Sequence, residues 1–279
     1  RTVEPLAAPS ALRSVRSVPL ASPAAAIDLD PAPNVLRAAF TAAQLEQATA
    51  EGFRYAYNGQ VPGPTLRAKV GDTLVVQLTN NLSTPTTLHW HGLHVPIEMD
   101  GIPTEAGRVA AGGGTFEYRF TLTHAGTFWY HPHFDTARQV DLGLYGALIV
   151  EDPAEPSVEH DIVALLDNPD EQLGEGPRPG HGHGRMVRDW LVNGVRQPVL
   201  NAAPGDRVRL RLINVADAGI VDLRGDDLSV IAFDQGLLAA ERRTNQVVLA
   251  PGDRAEVAWT LDAQPVALNS APYSLNGGP

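Results

Sequence analysis

Residues 70–80 read Val-Gly-Asp-Thr-Leu-Val-Val-Gln-Leu-Thr-Asn, and residues 204–214 read Pro-Gly-Asp-Arg-Val-Arg-Leu-Arg-Leu-Ile-Asn. Each begins with a Gly-Asp turn and continues as an apolar-rich run, as a β-strand following a tight turn does. The same offset along the chain relates Pro64 to Pro198, and Asn-Gly pairs at 58–59 and 193–194 precede the two series with a slip of one position. So many matches at one offset predict two copies of a single β-domain.

The composition also favours short strands joined by turns. Of 279 residues, 26 are glycine and 23 are proline, scattered without a period. Strands are predicted at 74–78, 116–120 and 146–150, and the second of these alternates apolar with polar residues. We therefore predict an all-β fold of two consecutive β-sandwich domains.

The copies and the segments between them predict the domain boundaries. Residues 1–34, rich in Ala, Pro and Ser, are predicted to be an extended N-terminal arm. Residues 35–153 form the first predicted domain and residues 157–279 the second, separated by the linker-like sequence at 151–156. The second copy extends only a short way past Tyr273, so we expect its closing strand to be missing.

Charge and cysteine content exclude several classes of protein. A net charge of −11 argues against nucleic acid or an anionic membrane as a partner, because both select basic surfaces. No apolar run is long enough to form a membrane-spanning helix. The chain has no cysteine, which excludes disulfides and every metal site that uses a thiolate.

Two His-x-His motifs carry the chemistry of the first copy: His89-Trp90-His91 and His131-Pro132-His133. In a strand, residues i and i+2 point to the same face, so each motif presents two imidazoles side by side. Two such strands brought together would place four imidazoles around a small volume, a donor set that suits closely spaced copper or zinc ions.

Other interpretations of the histidines remain open at this level. The imidazoles could be ordinary hydrogen-bonded strand residues, and Asp135, which follows the second motif closely, keeps a two-metal hydrolase site in consideration. A Gly-flanked pair, His181 and His183, lies in a predicted loop at 170–184 and is either a loose metal site or simply solvated. His94 and His124 are expected not to be ligands.

The order of the motifs resembles a known family. His-Trp-His-Gly at 89–92, followed further along the chain by Trp-Tyr-His-Pro-His at 129–133, is similar to the first two copper motifs of the laccase-like, three-domain multicopper oxidases. The lead-in at 57–64 is similar to that family as well. The resemblance implies cupredoxin-like Greek-key sandwiches and a trinuclear copper cluster that reduces O₂ to water.

The resemblance also implies roles for individual residues. His89 would ligate the type 2 copper, and His91, His131 and His133 the type 3 pair. Asp100 matches an acidic position that delivers protons to reduced oxygen, although an Asp-Gly turn is the plainer interpretation. Trp90 and Trp129 are expected to pack around the imidazoles. The second copy has Leu223 and Gly225 in place of the first motif, so we expect it to be a spacer without ligands.

The family pattern is incomplete in this chain. Four further histidines and the Cys of the type 1 copper would come from a last cupredoxin domain, so we expect the chain to be part of a longer or assembled protein and to be inactive alone. The expected function is half of an O₂-reducing copper oxidase whose reducing substrate is unknown. A non-catalytic copper-binding protein and a structural relative are the alternatives. Family analogy implies export to the periplasm or cell exterior, and a removed signal would agree with a chain that starts at Arg1.

Overall fold

The computed structural model describes residues 34–49, 52–102, 109–168, 190–196, 198–199, 202–217, 219–261 and 269–271. The predicted arm at 1–33, the loop containing His181 and His183, and the segment after residue 271 lie outside the described residues. The described part is almost entirely β-structure, which confirms the predicted fold class. None of its helices is long and apolar enough to cross a membrane.

Within the described residues, the first copy contains eight strands, one 3-10 helix (Ile97–Met99) and one short α-helix, α1 (Thr136–Asp141). Its strands are β1 (Val35–Gln44), β2 (Tyr55–Tyr57), β3 (Leu66–Lys69), β4 (Thr73–Asn80), β5 (His89–His91), β6 (Gly114–Thr121), β7 (Gly126–His131) and β8 (Gly146–Glu151). They form two four-stranded sheets in the orders β2-β1-β4-β6 and β3-β8-β7-β5. One buried apolar cluster draws on both sheets, as the core of a sandwich does.

The part of the second copy that the structure describes contains eight further strands. They are β9 (His160–Asp167), β10 (Leu191–Val192), β11 (Val195–Arg196), β12 (Arg207–Asn214), β13 (Val221–Phe233), β14 (Leu237–Leu249), β15 (Arg254–Thr260) and β16 (Asn269–Ala271). The sheet order is β11-β10-β9-β12-β15-β13-β14, with β16 added on β13. A register shift between Arg224 and Leu228 divides β13, whose first part pairs with β14 and β16 and whose last part pairs with β14 and β15.

The repeat is visible in individual side chains. Asn80 and Asn214 are both fully buried, each at the end of the strand that follows the Gly-Asp turn. The side-chain oxygen of each accepts a backbone N–H from two positions further on, and the amide groups donate to the carbonyls of Val109 and Leu249, respectively. Asn58 and Asn193 are likewise equivalent, both with left-handed backbones, at φ angles of 53° and 51°. The domain boundaries themselves remain a prediction.

The two copies share a second apolar cluster. Strands β7 and β8 are buried on both faces, because alternate residues face the first core while Trp129, Ala147 and Ile149 pack against Val163 and Ile213 of the second copy. The sheet that carries both histidine motifs is therefore covered by the second copy.

Candidate metal centre

Strand pairing brings the two motifs together. Strand β5 pairs antiparallel with β7 so that His89 lies opposite His131 and His91 opposite Trp129. Because opposite residues of such a pair project to the same face, the imidazoles of His89, His91 and His131 share one face of the sheet. His133 follows the end of β7, where its backbone N–H donates to the hydroxyl of Thr87 over 2.7 Å.

The four rings converge. The ring centroid of His89 lies 3.9 Å from that of His133, 5.2 Å from that of His131 and 5.8 Å from that of His91. The ring centroid of His131 lies 5.5 Å from that of His91 and 5.3 Å from that of His133. One ring nitrogen each from His89, His91 and His131 can be chosen so that all three lie within 4.8 Å of one another.

Hydrogen bonds orient two of the rings. Nδ1 of His131 lies 3.0 Å from the carbonyl oxygen of Pro132. Nδ1 of His89 lies 2.9 Å from the carbonyl oxygen of Asp100 and 3.0 Å from its carboxylate. These oxygens only accept, so Nδ1 carries the proton in both rings and Nε2 keeps a free lone pair. The ring of His91 has the opposite orientation, because its Nδ1, and not its Nε2, faces the other imidazoles and lies 3.3 Å from Nε2 of His131.

The environment keeps three of these imidazoles neutral. Burial lowers the pKa of His91 to about 3, with further lowering by Arg254 and by the neighbouring His89 and His133. Burial also holds the pKa of His131 well below its usual range. Burial and His89 lower the pKa of His133, whereas Asp100 raises it. A metal ligand has to be neutral imidazole, so the site favours the binding form at ordinary pH.

Aromatic packing corrects one expectation. Trp129 does stack on the imidazoles, at 4.9 Å from His91 and 4.0 Å from His131. Trp90 does not: it is fully buried in the opposite core against Tyr118 and Phe120. Strand alternation explains the difference, because the residue between two inward-facing histidines must point to the other face.

The remaining polar candidates lie apart from the four rings. Asp135 is exposed at the start of α1, and among the described residues the only cluster of three metal-binding donors consists of imidazoles. Asp135 therefore does not provide the carboxylate ligand that a two-metal hydrolase site would need. His94 and His124 pack on each other, with ring centroids 5.1 Å apart.

No local sequence pattern indicates the residues that the second copy contributes. Arg254, at the start of β15, donates from Nε to the carbonyl of Thr127 over 2.9 Å and lies over the ring of Phe128. Gly252 lies against the ring of His91. Their approach depends on how the two copies pack, which periodicity and spacing do not record.

The donor set fits copper. Four converging imidazoles, two of them held by hydrogen bonds on the other nitrogen, form the kind of site that copper or zinc occupies. Four donors are too few to complete the coordination of three ions.

Comparison with known proteins favours copper over zinc as the metal of this site. Residues 41–155 match the family model described as multicopper oxidase. The chain is 33% identical over 216 residues to the multicopper oxidase MmcO of Mycobacterium tuberculosis, a match that covers 64% of this chain and 42% of that protein. It is 41% identical over 181 residues to copper resistance protein A of Pseudomonas syringae, a match that covers 61% of this chain and 29% of that protein.

Solved structures agree. A multicopper oxidase from Pseudomonas thermotolerans superposes with a TM-score of 0.76 at 32% identity, covering 84% of this chain and 60% of that one. A laccase from Pediococcus acidilactici superposes with a TM-score of 0.78 at 29% identity, covering 94% of this chain and 61% of that one. These neighbours confirm the predicted cupredoxin-like sandwiches. The chain spans less than half the length of the two curated relatives, and on the strength of these matches it belongs to the multicopper oxidase family.

Proposed function

We propose that this chain supplies half of the copper ligands of an oxidase that couples one-electron oxidation of a reducing substrate to four-electron reduction of O₂ to water. The observation that carries the proposal is the convergence of four imidazoles, with a 3.3 Å approach of His91 Nδ1 to His131 Nε2. Neutral His91 can donate its Nδ1–H to the lone pair of His131 Nε2, and a shift of that proton to its own Nε2 turns both lone pairs towards a metal ion.

The ligand roles follow the family motif. In this proposal, His89 holds the type 2 copper through Nε2, and His91, His131 and His133 hold the type 3 pair. Bound copper supplies the redox chemistry that carries electrons to O₂. The protein fixes ring orientations through the Asp100 and Pro132 carbonyls and keeps the three type 3 ligands neutral by burial.

Asp100 is proposed to deliver protons. Its carboxylate is 29% exposed and lies 3.0 Å from Nδ1 of His89, so it contacts solvent on one side and the site on the other. A carboxylate in that position can pass protons inward, and reduction of O₂ consumes four of them.

The rest of the proposed assembly lies beyond the present chain. Without cysteine the type 1 copper cannot form here, so a C-terminal cupredoxin domain, on the same or a separate chain, is proposed to supply the thiolate and the other histidines. The chain alone is then inactive. Residues 157–279 are proposed to act as a spacer domain without ligands, and export to the periplasm or cell exterior is proposed by analogy.

The test compares the complete gene product, loaded with copper, with the 279-residue chain. O₂ consumption is measured with a phenol, an aromatic amine, Cu(I) and Fe(II) as electron donors. We expect consumption with at least one donor in the complete product and none in the isolated chain. Copper binding without O₂ consumption in the complete product would favour a copper carrier instead.

A further inference from the structure

The turn between β14 and β15 touches the candidate metal centre. A Cβ atom built on Gly252 would lie 2.9 Å from Cε1 and 3.0 Å from Nε2 of the His91 imidazole. Both distances are shorter than non-bonded atoms tolerate without displacement. Any side chain at this position therefore requires the ring or the turn to move.

The other nitrogen of the same ring, Nδ1, faces the centre and would lie 3.9 Å from the built Cβ. Nδ1 of His91 lies 3.3 Å from Nε2 of His131, while the Cε1–Nε2 edge faces Gly252. One ring face stacks on Trp129 at a centroid distance of 4.9 Å. A ring bounded by Trp129 and Gly252 can yield only by moving its Nδ1 relative to the other donors.

The turn itself is held in place. The N–H of Gly252 donates to the carbonyl of Asn214 over 2.9 Å, and Asp253 accepts the N–H of Ala250 through its carboxylate over 2.8 Å. Arg254 donates from Nη1 to the Gly252 carbonyl over 3.2 Å and from Nε to the carbonyl of Thr127 on β7. Because the turn is bonded to both copies, displacing the ring costs less than displacing the turn.

We propose that Gly252 is a positioning residue, which sets the place of the His91 imidazole in the copper site by presenting no side chain to it. The second copy then shapes the part of the site that the first copy supplies, although it contributes no ligand itself. This inference rests on the proposed function, because it takes His91 to be a copper ligand.

The chain contains a matched control turn. Pro204-Gly205-Asp206 repeats the sequence Pro251-Gly252-Asp253, and in both turns the aspartate carboxylate accepts a backbone N–H over 2.8 Å. The φ angles are +91° at Gly205 and +87° at Gly252. A Cβ at Gly205 meets nothing within 4 Å. Gly205→Ala thus introduces the same left-handed backbone strain without touching an imidazole.

The experiment compares the unaltered 279-residue chain with Gly252→Ala and Gly205→Ala. Two quantities are measured: the affinity for Cu(II), and the ¹⁵N resonances of the His91 ring in the metal-free protein, assigned by their loss in His91→Ala. We expect Gly252→Ala to bind Cu(II) at least about tenfold more weakly and to shift the His91 resonances, because a misplaced ligand loses part of its bond. Gly205→Ala should stay within about twofold of the unaltered chain and leave the resonances in place.

Each other outcome is decisive. If Gly252→Ala keeps its Cu(II) affinity or leaves the His91 resonances unshifted, Gly252 does not position the ring. If the unaltered chain binds no Cu(II), the proposed function fails, and the metal-free resonances alone decide the role of Gly252. If Gly252→Ala does not fold, the double substitution with His91→Ala decides: restored folding shows that the methyl group collides with the ring, and continued failure overturns the inference.

Discussion

His89 and His131 are directly opposite residues on antiparallel strands β5 and β7, with ring centroids 5.2 Å apart. This single pairing fixes the relation between two motifs that are distant in the sequence. His91 joins them by strand alternation, and His133 joins them where the chain leaves β7. The geometry of the site therefore depends on one strand register.

Loss of one central imidazole should abolish high-affinity copper binding. His131→Ala removes a ring that, like His89, contacts all three other imidazoles, and we expect copper retained after dialysis to fall at least about tenfold. The measurement is copper per chain by elemental analysis. His94→Ala is the control, because His94 is exposed and packs only on His124 among the described rings. Equal copper content in both variants would contradict the assigned site.

Asp100→Asn should separate proton delivery from ligand orientation. The amide cannot carry the proton, whereas the backbone carbonyl still accepts from Nδ1 of His89. In the complete gene product we expect kcat for O₂ reduction to fall about 100-fold with copper content within about twofold. Asp135→Asn, an exposed carboxylate on the same copy, should leave kcat unchanged. An unaltered kcat in Asp100→Asn would exclude proton delivery by Asp100 and leave it only its place in the turn and its hydrogen bonds to His89.

Arg211 should be a large contributor to stability. Its buried guanidinium donates to Glu256 over 2.8 Å, to Asp161 over 2.8 Å and to Glu155 over 2.7 Å. Arg211→Met removes the 2.8 Å ion pair of the buried Glu256 carboxylate and leaves it with the Thr127 hydroxyl and with Arg209 at 4.0 Å, which costs about 3–5 kcal/mol. Urea unfolding of the metal-free chain measures the loss.

The control for Arg211 lies on the same strand. Arg207 is exposed at the start of β12, so Arg207→Met should change the free energy of unfolding by less than about 0.5 kcal/mol. The double substitution Arg211→Met with Glu256→Met should recover part of the loss, because it removes the unpaired charge. If Arg211→Met and Arg207→Met lower the free energy of unfolding by similar amounts, the buried ion pairs of Arg211 are not responsible for the loss.

Asp167 should make stability depend on pH. Burial, followed by the nearby Asp141 and Asp217, raises the pKa of Asp167 to about 7, while the Tyr145 hydroxyl, which donates over 2.7 Å, opposes the rise. The pKa of Asp167 is higher in the folded chain than in the unfolded chain, so protonated Asp167 favours the folded state. This contribution to the free energy of unfolding is complete below about pH 4 and is lost as the pH rises through about 7.

The contribution of Asp167 is measured as the difference in the free energy of unfolding between two proteins. Urea unfolding of the unaltered chain, compared with Asp167→Asn, should show a relative loss on the order of 3 kcal/mol between about pH 4.5 and about pH 8. Asn cannot titrate, so its variant lacks this contribution. Parallel pH profiles of the two proteins would exclude Asp167 as the titrating group.

Much of the fold could be predicted because its signals are local. Each Gly-Asp sequence indicates a turn, and the alternation of β6 indicates which side of that strand is buried. The constant offset between Asn80 and Asn214 indicates two equivalent buried asparagines at the ends of equivalent strands. The apolar run of β8 predicted a strand but not that both its faces are buried, because that follows from the packing of the second copy against Ala147 and Ile149. The position of Trp90 was predicted wrongly, although the alternation that places it in the core is itself local.

By itself the sequence determined that His89 and His91 form a same-face pair, because the i, i+2 spacing within a strand fixes their direction, whereas β7 ends at His131 and the place of His133 is set by the chain that follows the strand. Only the tertiary structure decided that Trp129 lies against two of the imidazoles, that Asp100 holds His89, and that Gly252 and Arg254 reach the site from the other copy. Those contacts mostly join residues far apart in the chain, and they arise from the packing of whole sheets, which leaves no periodicity or spacing in the sequence.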